Sequence, residues 1–162
     1  MTKLGIIGAM QLEVETLLGI MEDKKVSSHA GSTFYEGKLE GLDVVVVQCG
    51  VGKVNAAICA QILCSCFGVT HIVNTGIAGS LNAQLDIGDF VISKDAVYHD
   101  MDATNFGYPM CQVPGMSVLA FPADELLMQE AYAAADNAHP GHVSIGRVAT
   151  GDQFVAEKAL KE

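Results

Sequence analysis

Lys3-Leu4-Gly5-Ile6-Ile7-Gly8-Ala9-Met10-Gln11-Leu12-Glu13-Val14-Glu15 reads as an apolar strand that turns at glycine and runs straight into a helix carrying carboxylates. Leu4, Ile6 and Ile7 form the continuous apolar run expected of a strand covered on both faces, and Gly8 lets the backbone turn without a side chain in the way. A helix is expected to begin near Gln11. Its first N–H groups lack intrahelical partners and its N-terminal end is positive, which favours negative charge at Glu13 and Glu15. A carboxylate held there beside a pocket suits a general base. The plainer alternative is that both glutamates only favour the first helical turn.

Outward from that stretch, the 162 residues fit a single α/β domain, half of them hydrophobic. A formal charge of -10 argues against nucleic acid or an anionic membrane as partner. Arg147 is the sole arginine, so a site built from several guanidinium forks around a phosphate is excluded. The five cysteines, Cys49, Cys59, Cys64, Cys66 and Cys111, are odd in number and follow no recognisable leader, which points to a reducing cytoplasm and to small buried hydrophobes. No run is long enough to span a membrane.

The first helix is expected to end near Glu22 to Lys25. Thr33–Glu36 and Leu42–Gln48 read as a hairpin across Glu40-Gly41, and Val54–Cys66 as a buried helix after the turn Gly50-Val51-Gly52-Lys53. His71–Thr75 is a strand opening into Gly76-Ile77-Ala78-Gly79-Ser80, whose glycines permit close approach of a ligand. Asp89–Ser93 is a further strand. His99–Pro122 is a long connection of little periodicity, of the kind that is functional or disordered. Asp124 N-caps the next helix, His142–Thr150 is the last strand, and Gly151-Asp152-Gln153-Phe154 opens one more helix.

Two nucleotide motifs fail on spacing. Gly5 and Gly8 lack the third glycine of a dinucleotide fingerprint, and Gly50-Val51-Gly52-Lys53-Val54 lacks both the opening glycine and the Ser or Thr of a phosphate loop. His99, Asp100 and Asp102 are read as solvated or backbone-bonded groups, so neither metal nor cofactor is expected. What remains is a set of glycine-bearing strand ends, where α/β sheets bind ligands.

Those ends carry a resemblance. Gly5-Ile6-Ile7-Gly8-Ala9-Met10 with Glu13, Gly50–Ala57, Asn74-Thr75-Gly76-Ile77-Ala78-Gly79, Asp86-Ile87-Gly88-Asp89, Tyr98-His99-Asp100 and Phe106-Gly107-Tyr108 together resemble the 5'-methylthioadenosine/S-adenosylhomocysteine nucleosidases. The resemblance implies the nucleoside phosphorylase fold, a mixed sheet flanked by helices. It implies a homodimer that hydrolyses the bond between adenine and a thioribose in methionine salvage and the methyl cycle. By position, Glu13 matches the carboxylate that activates water and Met10 the wall under the ribose. Val51, Gly52, Ile77, Ala78 and Gly79 match the lining near sugar and base, and Phe154 and Val155 the contacts to adenine. Ala103, Phe106, Tyr108 and Pro114 match residues that reach from the partner subunit over the 5'-alkylthio group.

Two departures follow. Ile77 stands where relatives often carry a small hydroxyl residue, so only backbone contacts transfer there. The resemblance also places a ribose-binding glutamate and the aspartate acid in segments beyond these 162 residues. The domain is therefore expected to lack its C-terminal part and, alone, to show little or no activity. A phosphate-dependent purine nucleoside phosphorylase and a non-catalytic nucleoside-binding remnant remain as alternatives.

Overall fold

The computed structural model describes residues 2–155. The chain divides into two compact units, Met1–Gly79 and Ser80–Glu162.

The first unit runs β1 (Lys3–Gly8), α1 (Gln11–Ile20), β2 (Glu22–His29), β3 (Ser32–Leu39), β4 (Leu42–Gln48), α2 (Lys53–Phe67) and β5 (His71–Asn74). Its five strands lie in the order β2-β3-β4-β1-β5, with β1 parallel to both β4 and β5 and the β2-β3-β4 stretch antiparallel. The sheet is sandwiched, and β4 shows how. Val44, Val45, Val46 and Val47 are all buried, and successive side chains of a strand point to opposite faces. Val44 and Val46 pack with Ile6, Val14 and Met21 on the α1 side. Val45 and Val47 pack with Ile7, Phe34, Cys59 and Leu63 on the α2 side. On that second side Phe34 stacks on Phe67 with ring centroids 5.1 Å apart. At Gly5 an added Cβ would stand 3.0 Å from Leu63 Cδ1, so this glycine lets α2 lie close on β1.

The hairpin across Glu40-Gly41 forms as expected, with positive φ at both turn residues (46° and 80°), the requirement of the tight hairpin turn. Two expectations fail in this unit. The first helix stops at Ile20, and the charged run Glu22-Asp23-Lys24-Lys25 belongs to β2, an exposed edge strand with a bulge between Glu22 and Lys25. Charge on an edge strand discourages pairing with other chains. The second concerns α2, which buries one face: Cys59 and Leu63 are enclosed, whereas Val54 and Ile58 are exposed.

The second unit runs β6 (Phe90–Tyr98), a 3-10 turn (Thr104–Phe106), β7 (Phe121–Pro122), α3 (Glu125–Ala138) and β8 (Val143–Thr150). Its sheet has the order β7-β6-β8, with β6 and β8 parallel. Asp124 caps α3 as expected, its carboxylate accepting the Leu127 N–H at 2.9 Å. The strand expected at Asp89–Ser93 extends to Tyr98, and the long connection contains the 3-10 turn and the short strand β7. The helix expected from Gly151 falls mostly outside the described residues; Gly151–Val155 is non-helical.

All five cysteines are free, but the expectation that they are buried holds only for Cys49 and Cys59; Cys64 and Cys66 are exposed and Cys111 is intermediate. No helix among the described residues is long and apolar enough to cross a membrane.

Candidate active site

The carboxyl ends of β1, β4 and β5 lie side by side in the first unit, and the ladder carries on past the strands. Cys49 N–H donates to Gly8 O at 2.9 Å and Thr75 N–H to Ile7 O at 3.0 Å. Three glycine-bearing turns, after Gly8, Gln48 and Asn74, therefore open at one edge of the sheet. This is where an α/β sheet presents ligands.

Glu13 stands at the third position of α1, and its side chain turns back across the helix start. Oε2 accepts the N–H groups of Ala9 (2.6 Å) and Met10 (2.9 Å), while Oε1 accepts the N–H of Ile77 (3.1 Å). The carboxylate thus joins the turn after β1 to the turn after β5, 64 residues on. An ionised carboxylate offers about four lone-pair sites. Oε2 has both of its sites filled, and Oε1 keeps one acceptor site beyond the Ile77 N–H. Glu15 is exposed on α1 and makes no such contact among the described residues, so the two glutamates that look alike in the sequence part company in the fold.

The second turn is set by its own residues. Gly50 and Gly52 both have positive φ (85° and 102°), and Asn55 Nδ2 donates to Val51 O at 2.7 Å. Val51 is left exposed, as are Met10 and the side chain of Ile77. Ala78 and Gly79 continue the third turn, exposed and irregular. Of the residues singled out from the sequence, the first unit brings Met10, Glu13, Val51, Gly52, Ile77, Ala78 and Gly79 to one sheet edge. Ile77 donates its backbone N–H to Glu13 Oε1 there.

Phe154, Val155, Ala103, Phe106, Tyr108 and Pro114 belong to the second unit. Phe154 (96% exposed) and Phe106 (84%) present nearly the whole ring, whereas Ala103 is buried and contributes its carbonyl to the N–H groups of Phe106 (2.9 Å) and Tyr108 (3.4 Å). Ala103 thus shapes the turn that displays Phe106. Tyr108 is half-buried and Pro114 exposed.

Two residues passed over as functional in the sequence hold the Phe154 segment. An added Cβ at Gly151 would fall inside the imidazole of His99, and Asp100 Oδ2 accepts the Asp152 N–H at 2.7 Å. The Tyr98-His99-Asp100 motif thus anchors the turn after β8. Asp102 accepts the N–H and hydroxyl of Thr104 at 3.0 and 2.7 Å, and these bonds hold its carboxyl below the ordinary range. Among the described residues no three His, Cys, Asp or Glu side chains gather as a metal site would require.

Arg147 is engaged within the second unit. Its Nε and Nη2 each lie 2.7 Å from an oxygen of Asp95, a two-pronged pair that holds the Asp95 carboxyl below its usual range. The large open concavity of the first unit, about 650 Å³ and lined by Lys3, Lys24, Lys25, Lys38, Asp23, Glu36 and Asp43, involves the amino ends of β1 and β4, away from Glu13.

The family model described as the phosphorylase superfamily matches residues 3–162. This chain belongs to that superfamily and, within it, with the 5'-methylthioadenosine/S-adenosylhomocysteine nucleosidases. It is 42% identical over 162 residues to the nucleosidase of that name from Marinomonas sp. (strain MWYL1), covering 100% of this chain and 70% of that protein. The nucleosidase of Colwellia psychrerythraea 34H, solved in complex with adenine, superposes with a TM-score of 0.94 at 41% identity, over 99% of this chain and 66% of that one. The enzyme of Neisseria meningitidis, solved in complex with methylthio-immucillin-A, gives 0.95 at 36% identity, over 99% and 69%. The chain spans about two thirds of the length of these relatives, and the mixed sheet flanked by helices is the architecture they share with it.

Proposed function

We propose that the protein hydrolyses the N-glycosidic bond of 5'-methylthioadenosine and S-adenosylhomocysteine, releasing adenine. The observation that carries this reading is the Glu13 carboxylate, tied to the Ala9, Met10 and Ile77 N–H groups with one acceptor site of Oε1 unfilled at the strand ends. In this reading a water sits on that site, Glu13 takes its proton, and the water oxygen bonds to the anomeric carbon as the carbon–nitrogen bond breaks. Adenine leaves with the bonding pair and needs a proton donor. The resemblance assigns that donor to a later segment of the family.

The apolar side chains of Met10, Val51 and Ile77 around the carboxylate suit the floor of a sugar and its thioether substituent. Exposed Phe106 and Pro114 suit a cover contributed to a second copy, and we assign the protein to a homodimer of the cytoplasm acting in methionine salvage. Water is favoured over phosphate because Arg147, the one arginine, is already paired with Asp95.

The test is to incubate the protein, as its gene encodes it, with methylthioadenosine in the presence and absence of phosphate. Free methylthioribose and adenine in both reactions support the reading. A phosphate requirement with a sugar 1-phosphate product would replace it with phosphorolysis. Sedimentation at micromolar concentration tests the dimer, which a monomer at all concentrations contradicts.

A further inference from the structure

Gly76 looks in sequence like a glycine kept for close approach of a ligand. The structure shows something else in that space. A Cβ added to Gly76 would stand 2.8 Å from Glu13 Oε1, 3.1 Å from Cδ and 3.4 Å from Oε2. All three nearest atoms belong to the carboxylate. Nor does backbone conformation require glycine here, since Gly76 is absent from the positive-φ glycines of the chain. The residue is small because the Glu13 carboxylate occupies the place of its side chain.

Gly8 makes the matching contact from the other side. A Cβ there would lie 2.6 Å from Val14 Cγ1 and 3.1 Å from Glu13 Cβ. The stem of Glu13 is therefore seated against Gly8, and its head against Gly76. The next peptide after Gly76 carries the N–H that binds Oε1.

We propose that Gly76 is a positioning residue for the hydrolysis: it fixes the place of Glu13 Oε1, and hence of the water that Oε1 holds, without touching substrate itself. This rests on reading Glu13 as the base. A methyl group at position 76 pushes the carboxylate off the Ile77 N–H, and the water moves with it. Displacing a reacting group by about 1 Å can cost on the order of a hundredfold in rate.

The test uses the complete protein and methylthioadenosine. Gly76→Ala is expected to lower kcat by about tenfold to a hundredfold, with KM and the affinity for an adenosine analogue changed less than about threefold. Gly19→Ala, on an exposed turn of α1 with no atom within 4 Å of the added carbon, is expected to leave both unchanged. In a Glu13→Gln background Gly76→Ala is expected to cost little more, because its effect runs through Glu13. Equal losses from Gly76→Ala in both backgrounds, or a raised KM with unchanged kcat, would overturn the positioning role. Near-normal turnover of Glu13→Gln would instead remove the base reading, and the proposal with it. If Gly76→Ala fails to fold, shortening the carboxylate with Glu13→Asp should restore folding, and an unfolded double variant contradicts the account.

Discussion

The two units hold their candidate residues by different means. In the first unit a sheet enclosed on both faces, with Val44–Val47 at its centre and α1 and α2 on either side, fixes the three turns that carry Glu13, Val51 and Ile77. In the second, Val97 and Ala103 are the buried hydrophobic side chains among the described residues, and α3 buries none of its own. There the candidate residues are held by polar links instead: Asp100 to Asp152, Arg147 to Asp95, Asp89 to His142. The difference teaches how the work is divided. On the proposed reading Glu13 is a base that must be held within a fraction of an ångström and stands on a close-packed core, whereas a cover residue such as Phe106 needs chiefly to be presented.

The sharpest way to break this contrast is to empty the first core. Phe34 is fully buried between Phe67 and His29, and Phe34→Ala should cost about 3–5 kcal/mol by denaturant titration. A loss below about 1 kcal/mol would show that the sheet does not depend on that packing. Next in size is the chemistry. Glu13→Gln should lower turnover on the order of a hundredfold or more, equivalent to about 2.7 kcal/mol of barrier. A glutamine also offers an NH2 group where three N–H donors converge, so a fall in melting temperature is expected alongside, and affinity for an adenosine analogue separates the two effects.

In the second unit the corresponding effects are smaller. Asp124→Ala removes the cap of α3 and should cost about 1 kcal/mol, with hydrogen exchange quickening through Glu125–Ala138. Unchanged exchange would mean that α3 is held by something other than its cap. Acid sharpens the same point. The Asp86 N–H and then His142 lower the Asp89 carboxyl, and Arg147 lowers that of Asp95. A depressed folded value gives stability that is present above the unfolded value, near pH 4, and lost as the pH falls through the folded one. Amides of β6 and β8 should therefore lose protection below about pH 4 before those of β1, which carries no carboxylate. Because these carboxylates face solvent, the loss should shrink in high salt. Smallest of all, a thiol reagent should label Cys64 and Cys66 in the native protein and spare Cys49, whose thiol burial pushes up.

Much of the first unit was legible because its signals are local. The apolar runs of β1 and β4, the Glu40-Gly41 turn and the glycine after each parallel strand each announce an element on their own. The missed strand β2 had no such signal, since Glu22-Asp23-Lys24-Lys25 is an edge built to stay wet. The exposed face of α2 was misread because apolar residues occur on most of its faces, and composition does not say which face meets a neighbour. Within the site, Glu13 was visible at a helix start, but its bond to the Ile77 N–H joins residues 64 apart and the fit of Gly76 against it depends on the folded sheet. The anchoring of Gly151 and Asp152 by His99 and Asp100 is likewise a product of β6 and β8 running side by side.

The central claim is that one carboxylate, held by the turns after β1 and β5, directs a water at the bond to be cut. A crystal structure of the protein with an uncleaved thioether analogue of adenosine tests it most directly. The account predicts the sugar over Gly8–Met10 and a water about 3 Å from Glu13 Oε1, on the side facing the anomeric carbon. A nucleoside bound elsewhere, or an Oε1 that faces no water and no substrate, would contradict it.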